Sequence, residues 1–197
     1  ITGSSSEDIT ITSSGGSTNT VTVGGTIGGS DNINTIAITG STSVSLGGNI
    51  ATNDAAGNTV AITGATIDFN NITINTNNTN NDGNVTLTHN TPQDTVTVDA
   101  GTGGTVQLTP VTTSAVIETA ANNSGNISED VFYDIDTFDI TGAFALIGDA
   151  SHTGNIFIGN EVAAIDFVQQ ANIQVRNSSS GQIFLGSDFD TAGGFLT

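Results

Sequence analysis

The chain of 197 residues has no cysteine, no methionine, no tryptophan and no lysine, and its single arginine is Arg176. Without cysteine there is no disulfide framework, no thiolate metal site and no cysteine nucleophile. Against that one cation stand 19 acidic residues, a formal charge of -18. Nothing is available to replace the counterions of a phosphate backbone, so nucleic acid is excluded as a partner, and anionic membrane surfaces are excluded on the same ground. No stretch approaches the roughly 18 consecutive apolar residues that cross a bilayer as a helix. Helical periodicity is also scarce: the best candidate runs from Val162 to Gln170, and its Ile165-Asp166-Phe167 centre still alternates like a strand. No signal peptide is visible and the chain opens on Ile1, which reads as a processed or excerpted chain.

What the chain does have is short alternation. Ile9-Thr10-Ile11, Val21-Thr22-Val23, Ile36-Ala37-Ile38, Val44-Ser45-Leu46, Ile72-Thr73-Ile74 and Val96-Thr97-Val98 each place two aliphatic side chains on one face and a small one on the other. Half-buried strands require that pattern, and threonine suits it because it is β-branched. Between the runs lie Gly, Asn, Asp and Ser, residues that tolerate positive φ or bond their own backbone in turns. The chain is expected to be all-β.

A unit also recurs: glycine, one or two polar residues, then aliphatics. It begins at Gly57, Gly83, Gly104, Gly125, Gly154 and Gly181, with steps of 26, 21, 21, 29 and 27 residues. A drifting period of roughly 20 to 30 residues marks a coiled stack of strands. The alternative is an antiparallel β-sandwich, but tight hairpins favour Asn-Gly or Asp-Gly. Here no asparagine precedes glycine, and Asp82-Gly83 is the sole Asp-Gly pair. The triplets headed by Val21, Val44 and Ile67 lie 23 residues apart. A parallel β-helix of irregular rungs is therefore expected, about eight of them, in a single domain over 1–197. Within it, 1–128 forms Thr/Asn-rich rungs, including the tract Asn75 to Asp82. Residues 129–197 form acidic, Phe-rich rungs and a C-terminal tail. Eight of nine phenylalanines and Tyr133 follow residue 130, which implies larger core residues and so wider rungs, or a different docking surface, there.

The irregular Gly-Asn-Ile and Gly-x-Val-x-Leu units, set among Thr, Asn and Ser from about Gly48 onward, resemble the β-helical shafts of bacterial surface exoproteins. These are the filamentous haemagglutinin-type and autotransporter passenger families and similar β-strand-repeat proteins. The resemblance implies a right-handed parallel β-helix, secretion to the cell surface, and a role in adhesion or surface filaments. It places no secretion or receptor-binding motif on any residue here.

Candidate chemistry is sparse. Glu129, Asp130, Asp134, Asp136 and Asp139 form the densest acidic cluster. Asp134 and Asp136 flank Ile135 and so project from one strand face, a spacing of hard oxygen ligands that suits Ca²⁺; Asp188 and Asp190 repeat it. The plainer reading is a solvated acidic face, and no cofactor is otherwise expected. Paired carboxylates also suit glycoside cleavage, yet sugar platforms need aromatic stacking and the chain has one tyrosine. Asp149, Ser151 and His152 adjoin in sequence, which is loop proximity and not a triad; His89 and His152 are read as turn residues. Gly101-Thr102-Gly103-Gly104 lacks the Lys and Ser/Thr of a phosphate loop and reads as a turn. Thr-x-Thr pairs such as Thr20-Val21-Thr22 and Thr86-Leu87-Thr88 are similar to ice-binding solenoid faces. They do not recur at constant spacing, and that reading is set aside. Asn71, Asn77, Asn84, Asn122, Asn126 and Asn177 open glycosylation triplets.

The expected function is thus a non-enzymatic, extracellular structural protein with no catalytic, cofactor or metal residues. It is a surface filament subunit or adhesin shaft whose partner is itself, through terminal strand edges and the segment Thr191 to Thr197. Host or cell-surface glycans are further candidate partners. The alternative is a polysaccharide-active or carbohydrate-binding β-helix of a spike-like protein.

Overall fold

A computed structural model describes residues 1, 7–15, 18–29, 33–118, 131–132, 138–158 and 170–185. It is all-β, a parallel β-solenoid of about six turns. The coil has three faces, and the strands follow in chain order. The first rung holds β1 (Glu7–Ser13) and β2 (Thr20–Val23), with Ile27 bridging to the third face. The second holds β3 (Ile33–Gly40), β4 (Ser43–Leu46) and β5 (Ile50–Ala51). The third holds β6 (Thr59–Thr63), β7 (Thr66–Asp68) and β8 (Ile72–Asn75), and the fourth β9 (Asn84–Thr88), β10 (Thr91–Gln93) and β11 (Val96–Asp99). The fifth holds β12 (Thr105–Thr109), β13 (Ile117–Glu118) and β14 (Val131–Phe132). Then β15 (Phe138–Gly148) turns a corner, pairing β11 through its first residues and β12 through its last. β16 (Ile156–Ile158), β17 (Gln170–Arg176) and β18 (Ile183–Leu185) complete the stack.

Every strand pair is parallel, which rules out the sandwich. On the first face, Ile9, Ile36, Val60, Val85, Val106, Ala145 and Ile173 stand in one column. All but Ile9 are buried, and the aliphatic ladder continues as Ile38, Ile62, Leu87, Leu108 and Ile147. Fully burying one such side chain stabilises the fold by about 1.5–3 kcal/mol, so the column is the main source of cohesion between rungs. The 23-residue spacing of Val21, Val44 and Ile67 is a true register: the three are direct neighbours on the second face.

One expectation needs correction. Six turns replace eight because the rungs are unequal: the column positions Val85 and Val106 are 21 residues apart, whereas Val106 and Ala145 are 39 apart. The extra residues lie in the corner 110–116 and in the sequence between β13 and β15, within which β14 pairs with β13. Phe138 is buried, at 2 % exposure, with its ring against His89 and Phe69, while Phe184 is 40 % exposed. The inward positions of the late rungs remain Ile140, Ala145, Ile147, Ile156, Ile158 and Ile173. The segment Val162 to Gln170 lies outside the described residues except Gln170, which opens β17.

Candidate functional site: the asparagine-lined corners

The corners do the work that side-chain chemistry does elsewhere. From first to second face the chain turns in two residues after β3, β6 and β9, but the corners 110–116, 149–155 and 177–182 are longer. This lengthening moves the glycine unit. Gly57, Gly83 and Gly104 lead into strands of the first face, whereas Gly154 and Gly181 lead into β16 and β18 on the second. Gly125 lies outside the described residues.

What the unit does is plain from its hydrogen bonds. The side-chain carbonyl of Asn49 accepts the backbone N–H of Thr73 at 2.9 Å. That of Asn84 accepts Thr105 N–H at 2.8 Å, and that of Asn155 accepts Gln182 N–H at 3.0 Å. Each asparagine thus reaches one rung along the axis and caps a strand-entry donor left without a ladder partner; buried or not, such a donor needs one. The glycine before it is set by crowding. A Cβ on Gly48 would meet Thr26 backbone, on Gly83 the Asn58 side chain, and on Gly154 the Ala115 carbonyl. At 48–49, 83–84 and 154–155 Gly-Asn is therefore a stacking clamp: glycine admits the preceding corner, asparagine grips the following one.

The corner from third to first face is the most polar. It spans 52–58, 76–83 and 100–104 in successive rungs and includes most of the Asn75 to Asp82 tract. Asp54 accepts N–H groups from Asn80 and Asn81, with Asn80 Nδ2 at 2.6 Å, and these bonds hold its carboxyl below the usual range. Asp82 accepts Asn78 N–H at 3.2 Å and Gly103 N–H at 2.8 Å. Gly101 stands at φ 64°, a conformation that favours glycine. The Gly101 to Gly104 run is thus a turn, as expected, and one of its amides faces an internal carboxylate. Beneath lies Asn58, 2 % exposed, whose Nδ2 donates to the carbonyls of Asn53 and Asn81. These carboxylates are occupied by N–H donors, and no cluster of three or more metal-ligating side chains exists among the described residues.

The other candidates fall as follows. Asp134, Asp136, Glu129, Asp130, Asp188 and Asp190 lie outside the described residues. Asp139 is exposed on the third face, in register with Thr97. Ser151 Oγ donates to Asp149 Oδ1 at 2.6 Å, as does Ser151 N–H at 2.7 Å. A hydroxyl bonded directly to the carboxylate, bypassing the imidazole, is a turn lock and not a nucleophile. Burial alone would raise the Asp149 pKa, but the bonds from Ser151, Thr109 and His152 outweigh it and hold the group low. Burial pushes His152 down, opposed in part by the Asp149 charge.

His89 occupies a corner, as expected, but its ring is core. It is fully buried, stacks on Phe138 at 5.6 Å and meets the edge of Phe69 at 6.1 Å, and burial lowers its pKa to about 3. Of the glycosylation triplets, Asn77 and Asn177 spend Nδ2 on Asp99 and the Gly154 carbonyl. Asn71 and Asn84 spend Oδ1 on Thr95 and Thr105. Asn122 and Asn126 lie outside the described residues. The sequence shows the Gly-Asn unit but not its role, because the bonding partner lies one whole rung away. Comparison with protein families, with curated proteins and with solved structures finds no match for this chain.

Proposed function

We propose that this solenoid is a non-enzymatic extracellular structural protein, a surface filament subunit or adhesin shaft, that associates end to end. One observation carries the reading: the stack is a chain of clamped, in-register rungs whose outermost described strands keep an open edge. At one end β1 and β2 have a neighbour on one side only. A cavity of about 360 Å³ lies there, lined by Ile1, Ile11, Thr22, Val23 and Gly24 to Thr26. At the other end β18 exposes Ile183, Phe184 and Leu185 by 44, 40 and 58 %. An unpaired strand edge templates another strand, and unlike ends make a heterologous contact that grows as an open filament. The charge of -18 keeps such filaments apart laterally.

The test is electron microscopy and light scattering of the purified chain at rising concentration. Filaments should form, and Ile11→Glu at one end or Phe184→Asp at the other should each shorten them while leaving the circular dichroism of the monomer intact. A protein that stays monomeric at millimolar concentration, or filaments indifferent to both substitutions, would sink the proposal.

A further inference from the structure

The threonines of the first face form a grid that sequence spacing conceals. Rungs of unequal length differ only in their corners, so the register of the strands themselves is unbroken from β3 through β12. Reading outward positions across, β3 presents Thr35, Ala37 and Thr39, and β6 presents Thr59, Ala61 and Thr63. β9 presents Asn84, Thr86 and Thr88, and β12 presents Thr105 and Gln107, while Thr109 holds the twelfth register position but is buried. Two successive rungs are thus the same Thr-x-Ala-x-Thr, and eight of the twelve positions are threonine. β1 extends the last two columns with Thr10 and Thr12. Neighbouring strands lie about 4.8 Å apart and alternate residues about 6.7 Å apart, so the methyls and hydroxyls stand on a rectangular grid.

Two independent observations say what such a grid meets. The first is charge: none of the twelve positions is charged, in a chain carrying 19 acidic residues, and Asp8 of β1 stands only at the edge of the grid, beside Thr35 at the head of the first column. The outward positions of the other faces include Asp68, Asp99 and Asp139. The second is hydrogen bonding. On the second face hydroxyls are spent on neighbours, Thr20 with Ser43 at 2.7 Å and Ser45 with Asp68 at 3.2 Å. On the first face Thr35 donates to Asp8 at 2.6 Å and Thr109 to Asp149 at 3.2 Å, whereas, among the described residues, the hydroxyls of Thr39, Thr59, Thr63, Thr86 and Thr88 are tied to no other side chain. They remain available to solvent, and their β-branching restricts them to few rotamers.

We propose that the outward face of β3, β6, β9 and β12 binds ice. A neutral, two-dimensionally periodic, hydroxyl-and-methyl surface is commensurate with ordered water, whose crystal faces repeat on a grid of similar dimensions. Competing occupants fit less well. A mineral surface calls for an array of carboxylates, and none stands among the twelve positions. A polysaccharide platform calls for aromatic rings, and none stands among the twelve positions. Protein interfaces are enriched in aromatic residues, Met and Arg, and this face has none of them. The inference is independent of the filament reading, since it uses a lateral face and not the ends.

The experiment uses the full chain in a slowly growing ice hemisphere, with recrystallisation inhibition as a second readout. The wild type should be incorporated into ice and should keep crystals small. Ala61→Lys at the grid centre, and Thr63→Val as a near-isosteric check on folding, should each reduce incorporation at least several-fold. Thr97→Lys on the third face should leave it unchanged. Exclusion of the wild type from ice overturns the proposal, as does equal incorporation of Ala61→Lys. A solution dimer dissolved by Ala61→Lys, with no incorporation of the wild type, would assign the face to a second copy and overturn it too.

Discussion

The outer surfaces of the early and late rungs share one inward pattern and almost nothing else. From β3 to β12 the first face shows threonine, alanine and amides. In β16 and β18 the second face shows Phe157 stacked on Phe184, rings 4.6 Å apart and 7° from parallel. Inward, both regions are aliphatic: Ile62 is as buried as Ile156. The strand period fixes one side of the coil as core and leaves the other to vary, so composition of the outer side carries the information about use. The early region has an uncharged grid on its lateral face and corners tied by side-chain hydrogen bonds; the late region ends in exposed apolar strand.

The sharpest way to break this contrast is to swap inward and outward roles at adjacent positions. Ile62→Ala should destabilise by about 2–5 kcal/mol through transfer and cavity terms, whereas Thr63→Ala next to it should stay within about 0.5 kcal/mol. Urea unfolding of both variants checks it, and equal losses would contradict the assignment of faces.

Acid should act first where the aromatic core begins. Unfolded, His89 titrates near its ordinary 6.5; folded, burial holds it at about 3. The unfolded chain therefore binds the extra proton, so stability is full above pH 6.5 and falls as pH drops toward 3. The limit is on the order of 4 kcal/mol. Asp149, whose folded pKa is lowered, adds a smaller loss below the ordinary carboxylate range. Thermal melts from pH 7 to pH 3 should show this slope, and His89→Phe, which keeps a ring against Phe69 and Phe138, should flatten it. An unchanged slope would show that His89 is not its source.

Removing a corner clamp should cost less. Asn58→Ala leaves the Asn53 and Asn81 carbonyls short of a donor, about 1–3 kcal/mol; a melt unchanged from wild type would mean that water replaces the amide. The smallest expected effect is local: a protease specific for aromatic residues should cut native protein at Phe184 well before Phe69, which has no exposure. Simultaneous cleavage at both would show that the two regions open together.

Alternation in the sequence was enough to identify strands, their buried residues and the parallel coil, because a period of two is written in neighbouring residues. Turn composition favoured a solenoid over a sandwich for the same local reason. Register was legible only where rungs happened to be equal, as for Val21, Val44 and Ile67. Elsewhere corners of two to eight residues absorbed length and hid the threonine grid, and the long stretch between β13 and β15 hid the 39-residue step to Ala145. The Gly-Asn clamp was visible as a motif while its partner, some 21 to 27 residues away, was not. His89 looked like a turn residue because nothing local says that its ring meets Phe69 and Phe138, which come from two other segments. Local residue order determined which side chains face in; only stacking along the axis decided which of them meet.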